Sequence, residues 1–217
     1  AVKYIVEHTE YAPDYFPIEQ AVDWLGEDGV VLAGLPHSPM QTLMIDWIGS
    51  EGGRFYYHHA DHPELVEELY QALVRSRRPL HEIAARSPAP VVLCGDNVDG
   101  VLVTPALFER YFAPVWAEQA CCLHARGKLM AVHMDGRLKT LRQQIAATQV
   151  DVIEGFHPPP MGDLPLRAAL DAWAGKAIWV GFPSDAYALG PGAVQAYARA
   201  LLAEAAPGDR LAVAMSS

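Results

Sequence analysis

Residues 129–154 read LMAVHMDGRLKTLRQQIAATQVDVIE, and this stretch decides the fold class. It opens on an apolar run at Leu129–His133 and closes on a second apolar run at Val150–Glu154. Between the runs, three apolar side chains recur at helical spacing: Leu138, Leu141 and Ile145. Each run is mostly apolar on both faces, which is typical of parallel strands covered on both sides. The stretch therefore predicts a β-α-β unit.

The same alternation extends over the rest of the chain. Further apolar runs with strand character lie at Val30–Gly34, Val91–Asp96, Ala177–Gly181 and Leu211–Met215. The intervening stretches carry helix signals, such as the hydroxyl residue before proline at Thr104-Pro105. Six strands alternating with helices predict an α/β fold, either a doubly wound sheet or a TIM barrel. Neither a Gly-x-Gly-x-x-Gly nor a Walker A segment occurs, which disfavours the nucleotide-binding versions.

Chain length narrows the choice between these architectures. A complete TIM barrel usually needs about 250 residues, and this chain has 217. We therefore predict one distorted, TIM-barrel-like domain over residues 1–217, either incomplete or with its first strands outside these residues.

Composition excludes several classes of function. The chain has 16 basic and 26 acidic residues and a net charge of −10, which disfavours binding to nucleic acid or to an anionic membrane surface. No apolar run reaches the roughly 18 residues that span a bilayer, and no secretory signal is visible. The three cysteines cannot all pair, and the lack of a Cys-x-x-Cys motif excludes a zinc ribbon. We expect a cytoplasmic protein.

Polar residues follow the apolar runs where a parallel α/β sheet gathers its chemistry. Asp96, His133 and Glu154 end three of these runs, and Asp135 lies just past His133. If their side chains face inward, they converge at one opening. One imidazole with several carboxylates suits zinc or another divalent ion held by His133 and Glu154. The same residues also suit a metal-free acid–base cluster, with Asp96 and Asp135 as catalytic groups.

Other residues near the run ends are candidates for contact with substrate: His37, Asn97, Phe156 and His157. Structural alternatives exist for the whole set. A histidine at a strand end is often a satisfied structural residue, and Asp96 and Asp135 have the residue type that caps helices. Glu154 has Arg137 or Lys139 as an alternative ion-pair partner.

The order of motifs between Val91 and Pro183 resembles the uroporphyrinogen decarboxylase superfamily, which includes corrinoid-dependent methyltransferases. The matching pieces are Gly95-Asp96-Asn97, Thr104-Pro105-Ala106-Leu107-Phe108, His124-Ala125-Arg126-Gly127-Lys128, His133-Met134-Asp135-Gly136, Asp151-Val152-Ile153-Glu154 and Pro158–Leu164. Leu32–Gly49 resembles the segment upstream of these. The resemblance implies a distorted TIM barrel in which the present strands look like the third to the eighth. It also implies a homodimer.

Departures from the superfamily pattern bear on the substrate. In its thiol-activating methyltransferases a His-x-Cys pair and a later Cys hold zinc. Here His133 matches, but Asp135 stands at the Cys position, and residues 214–217 read AMSS where the later Cys would lie. An oxygen-rich ligand set suits an oxygen substrate better than a thiol. This resembles the branch that removes methyl groups from ethers and passes them to a corrinoid protein, so that cobalamin would sit on a partner.

Two alternative functions stay open at this point. One is metal-independent decarboxylation of uroporphyrinogen or another carboxylic acid, although the acidic run ends disfavour a polycarboxylate such as a porphyrinogen. The other is a barrel remnant without activity, retained for binding.

Overall fold

The computed structural model describes residues 1–215 as an α/β protein, which confirms the predicted fold class. Six strands form one sheet in which the strand order follows the chain. They differ from the predicted runs by at most two residues at either end: β1 Leu32–Leu35, β2 Val91–Cys94, β3 Leu129–His133, β4 Val152–Phe156, β5 Ala177–Phe182 and β6 Leu211–Met215.

Helices connect and flank the strands. They are α1 Val2–Glu7, α2 Phe16–Leu25, α3 Pro39–Gln41, α4 Arg54–Asp61, α5 Pro63–Arg86, α6 Pro105–Leu107, α7 Ala113–His124, α8 Arg142–Ala147, α9 Leu166–Ala172, α10 Ser184–Ala188 and α11 Pro191–Ala205. Two π-helical segments, Thr42–Trp47 and Phe108–Phe112, follow α3 and α6. Over residues 1–215, none of the helices combines the length and the apolar character needed to cross a bilayer.

The chain divides into two compact units. The first unit comprises residues 1–96 and 110–130, and the second comprises residues 97–109 and the chain from 131 onward. In the first unit β1 and β2 pair in parallel, with Leu35 opposite Cys94, and α5 contacts α7. Its core includes the fully buried side chains Met40, Leu43, Phe55 and Trp116.

In the second unit, β4 lies between β3 and β5, and β5 also pairs with β6, all in parallel. His133 of β3 lies opposite Glu154 of β4. The pairing of β4 with β5 shifts register between Ile153 and Phe156, where Gly155 has a φ of 74°. This bulge at the carboxyl end of β4 shapes the site described next.

Candidate functional site

The centre of the candidate site is a pair of side chains on neighbouring strands. Because β3 and β4 are parallel and in register at His133 and Glu154, the two side chains point to the same face of the sheet. The Nδ1 atom of His133 lies 2.5 Å from Oε2 of Glu154. The Glu154 side chain is only 18% exposed and that of His133 is 31% exposed, so this ion pair is largely shielded from water.

Asp135 flanks the other nitrogen of the same imidazole. His133 Nε2 lies 3.7 Å from Oδ2 of Asp135, which is an ion-pair distance rather than a direct hydrogen bond. Asn97 fixes this carboxylate: with its amide nitrogen facing Asp135, it donates to Oδ1 at 2.6 Å and to Oδ2 at 3.0 Å. The segment after Asn97 is held beside β3 because Val98 N–H donates to the carbonyl of His133. Thus the second unit brings together the predicted residues His133, Asp135, Glu154 and Asn97.

The two carboxylates determine the charge of the ring. Asp135 first, and Glu154 second, raise the pKa of His133 to about 10, although partial burial acts in the opposite direction. In turn, the contact with His133 lowers the pKa of Asp135. At neutral pH the cluster is therefore an imidazolium between two carboxylates, with a net charge of −1.

The raised pKa of His133 predicts a specific pH dependence of stability. The folded-state pKa lies above the ordinary value of 6.5, so the charged ring adds stability that is complete below about pH 6.5 and is lost as the pH rises to about 10. We expect the free energy of unfolding, measured with urea, to fall across this window. His133→Gln should remove this slope, whereas His124→Gln, at an exposed position of α7, should keep it. A slope unchanged in His133→Gln would contradict the assignment.

Gly155 allows the imidazole to sit against the backbone of β4. Its φ of 74° is a conformation that L side chains rarely adopt, and a Cβ there would lie 2.5 Å from Cε1 and 2.6 Å from Nδ1 of His133. Only glycine therefore permits this close approach. The residue was missed in the sequence, although a glycine near the end of a strand is a signal for a bulge or a close contact.

His157 and Phe156, both predicted to contact substrate, are buried. The ring of His157 is packed against Gly181, where a Cβ would lie 2.2 Å from Cε1. His157 lies near enough to Asp135 to help lower the pKa of that carboxyl. Phe156 is 1% exposed and packs edge-on against Trp173, with ring centroids 5.8 Å apart. Phe156 is therefore a core residue, which corrects the expectation that it contacts substrate.

Asp96 does not take the position expected of a catalytic group. Its side chain is completely buried within the first unit. Oδ1 accepts from the backbone N–H of Ser38 at 2.5 Å, and Oδ2 accepts from Nε1 of Trp116 at 2.7 Å. Burial raises the pKa of this carboxyl. These contacts give Asp96 a structural role, tying the start of α3 to α7, and correct the expectation that it faces the opening.

The structural role of Asp96 is testable. Asp96→Asn places an N–H₂ group where the carboxylate accepts two hydrogen bonds, so one buried donor loses its acceptor. We expect the free energy of unfolding to fall by about 2 kcal/mol. The exposed residue Asp23 offers a matched control, since Asp23→Asn should change stability by less than about 0.5 kcal/mol. An unchanged urea midpoint for Asp96→Asn would refute this role.

His37 is placed in the first unit, at the end of β1. Its Nδ1 lies 2.9 Å from Oδ2 and 3.1 Å from Oδ1 of Asp46, and its carbonyl accepts a hydrogen bond from Arg77. The side chain is partly exposed. Contact of His37 with a substrate stays a prediction.

The arrangement of His133 and Glu154 does not fit a bound zinc ion. Two ligands of one zinc, each about 2.0–2.2 Å from the metal, lie roughly 3 Å apart, whereas these two atoms are at the 2.5 Å separation of a short hydrogen bond. The ring nitrogens face different carboxylates. Among residues 1–215, no group of three His, Cys, Asp or Glu side chains is placed to hold an ion. The contacts are those of a proton-holding cluster.

Comparison with known proteins supports the fold. No protein-family model and no curated protein sequence matches the chain. Among solved structures, a methyltransferase from Methanosarcina mazei superposes with a TM-score of 0.68 at 13% sequence identity, covering 99% of this chain. The chain spans 58% of the length of that methyltransferase. A structure from Streptomyces avermitilis provisionally described as an orotidine 5′-phosphate decarboxylase gives a TM-score of 0.48 at 15% identity, covering 95% of this chain and 70% of its own.

Proposed function

We propose that this chain is a methyltransferase that moves a methyl group from an oxygen-methylated small molecule to a corrinoid carried by a partner protein. The observation that carries the proposal is the placement of the His133 ring: Nδ1 lies 2.5 Å from Glu154, whereas Nε2, 3.7 Å from Asp135, makes no direct hydrogen bond to that carboxylate. The likeness in fold to the Methanosarcina mazei methyltransferase supports the reaction class. The sequence resemblance to ether-demethylating enzymes supports the oxygen substrate.

The chemistry of ether demethylation requires an acid. When the methyl–oxygen bond breaks, the electron pair stays on the oxygen and the methyl group passes to the acceptor. An alkoxide or phenoxide is a poor leaving group, and a positioned acid that protonates it accelerates such a step by about 10²- to 10⁴-fold. A pKa of about 10 at His133 is close to that of a phenol. The ring is therefore matched to a phenolic leaving group.

Each member of the cluster has a distinct task in this scheme. Nδ1 of His133 is committed to Glu154 at 2.5 Å, so Glu154 orients the ring. Nε2 lies 3.7 Å from Asp135, so its proton is available to the leaving oxygen. Asp135 stabilises the charged ring without taking its proton, and Asn97 holds Asp135 in place. After the transfer, the neutral imidazole regains a proton from solvent.

The net charge of −1 on the cluster favours a neutral ether over a carboxylate substrate. Two carboxylates within the site would repel the acid groups of a porphyrinogen. This disfavours the decarboxylase alternative. The corrinoid partner and the homodimer stay proposals that rest on the sequence resemblance. Zinc at His133 and Glu154 was predicted from the residue types, and the contacts of this pair do not support it.

The test is phenol release from aryl methyl ethers. The protein is incubated with guaiacol, with and without chemically reduced cobalamin, and the free catechol is measured by chromatography. We expect catechol only when the reduced corrinoid is present. Failure to release the corresponding phenol or alcohol from a panel of aryl and alkyl methyl ethers, together with carbon dioxide released from carboxylic acids, would overturn the proposal in favour of a decarboxylase. Failure of both reactions would favour the binding-only alternative.

A chelator distinguishes assistance by the proton of His133 from assistance by a bound metal ion. If His133 supplies the proton, removing metals by dialysis against a chelator should leave the rate of catechol release unchanged. A rate that is lost on dialysis and restored by zinc would instead favour the metal-assisted version that the sequence predicted.

A further inference from the structure

A cavity lies within the first unit, between α5, α7 and the carboxyl ends of β1 and β2. Its empty space is about 430 Å³, a figure that includes the part open to solvent. Much of its lining is apolar: Leu35, Pro36, Pro39, Val74, Leu80 and Val115. The polar side chains in the lining are those of His37, Ser38, Arg77, His81, Glu118 and Gln119. None of these residues belongs to the His133 cluster.

Four residues that line the cavity each have a buried polar atom without a hydrogen-bond partner: Oγ of Ser38, Nε of Arg77, Nδ1 of His81 and Nε2 of Gln119. Gln119 is only 2% exposed, so bulk water does not solvate its amide. Buried polar atoms in folded proteins nearly always have a partner. Nε of Arg77 and Nε2 of Gln119 are donors, so an occupant with acceptor atoms would satisfy both.

The position of the Arg77 guanidinium is fixed by its other contacts. Its Nη1 donates to the carbonyl of His37 and, at 2.7 Å, to Oγ1 of Thr42. The neighbouring Arg78 is neutralised by Glu118 at 2.6 Å. In the part of the chain that the structure describes, no carboxylate forms an ion pair with Arg77, so no ion pair neutralises its positive charge at the cavity.

We propose that this cavity binds a small monocarboxylic acid as its anion. The carboxylate accepts from Nε of Arg77 and Nε2 of Gln119, and His81 offers a further N–H in the tautomer protonated at Nδ1. A single uncompensated cation favours a monoanion over a dianion such as phosphate. The apolar side chains of Leu80 and Val115 suit a short hydrocarbon tail. The site goes beyond the proposed methyl transfer and does not depend on it.

Calorimetric titration of the intact chain tests the proposal. The probes are acetate, propionate and butyrate, with chloride at matched ionic strength and acetamide as a neutral molecule of the same shape. We expect saturable binding of the carboxylates, with propionate or butyrate tighter than acetate, and weaker binding of acetamide. Absence of saturable binding, or equal binding of acetamide, would overturn the proposal and leave ordered water as the occupant.

Matched variants locate the binding site. Gln119→Met removes the amide donor with little change of shape and should weaken carboxylate binding about ten-fold. Gln143→Met, at an exposed position of α8, should bind as the unaltered chain does. If Gln119→Met does not fold, His81→Phe serves as the second variant and His124→Phe as its control. Unchanged affinity in the variant that folds would place the binding elsewhere and refute the assignment.

Discussion

Replacing His133 by glutamine should reduce the release of phenol from an aryl methyl ether by about 10²- to 10⁴-fold. Glutamine keeps a hydrogen-bonding side chain opposite Glu154, so the parallel pairing of β3 and β4 has no reason to change. It carries no proton that a leaving oxygen can take. The measurement is the initial rate of catechol release at saturating ether, with circular dichroism to verify the fold.

The loss of rate in His133→Gln, compared among different ethers, distinguishes a proton donor from a residue that only positions the substrate. If His133 acts as the proton donor, a substrate with a more acidic phenol should lose less rate in His133→Gln, because its leaving oxygen needs less protonation. His124→Gln, exposed on α7, should retain the full rate. An equal loss for all ethers would indicate that His133 only positions the substrate, and an unchanged rate would remove it from the mechanism.

Gly155→Ala should reduce the rate of phenol release by at least about 100-fold, because it displaces the imidazole of His133. The added Cβ would lie 2.5 Å from Cε1 of His133, so the imidazole must leave its place beside Glu154. A misplaced catalytic group of this kind typically costs two orders of magnitude in rate. The positive φ of 74° adds a loss of stability of about 1–2 kcal/mol.

Gly175 supplies the matched control for this substitution. It also has a positive φ, 84°, but a Cβ there meets nothing within 4 Å. Gly175→Ala should therefore share the loss of stability, measured by urea unfolding, and keep the rate. If both variants lose rate equally, general destabilisation explains the effect, and the contact between Gly155 and His133 has no role in the reaction.

The sequence was sufficient to predict that His133 and Glu154 meet. They end successive apolar runs, and side chains alternate along strands with a period of two, so a β-α-β unit brings them to the same edge. Asp96 satisfies the same pattern and yet packs against Trp116 of α7. Alternation shows that Cys94 and Asp96 share a face of the sheet, but it does not reveal which face the helices cover.

Other parts of the site depend on conformations that periodicity does not encode. Phe156, a candidate for substrate contact because it follows the end of a run, comes directly after the bulge at Gly155 and is buried against Trp173. Asn97, whose amide donates to Asp135, has a backbone φ of 50°, a rare value for a residue other than glycine. The unpaired polar atoms at the cavity depend on how α5 packs against α7, two helices far apart in the chain, and no local sequence pattern predicts them.

The pairing of β3 with β4 has a consequence for the order in which the protein assembles. His133 and Glu154 are only 21 positions apart in the chain and meet as soon as these two strands dock. Closing this loop costs less entropy than pairing strands that lie farther apart in the chain, such as β1 and β2, so this pair is favoured to form before them. We expect the imidazole and its carboxylate partner to be in contact early in folding, so that later steps surround a reactive centre that is already built.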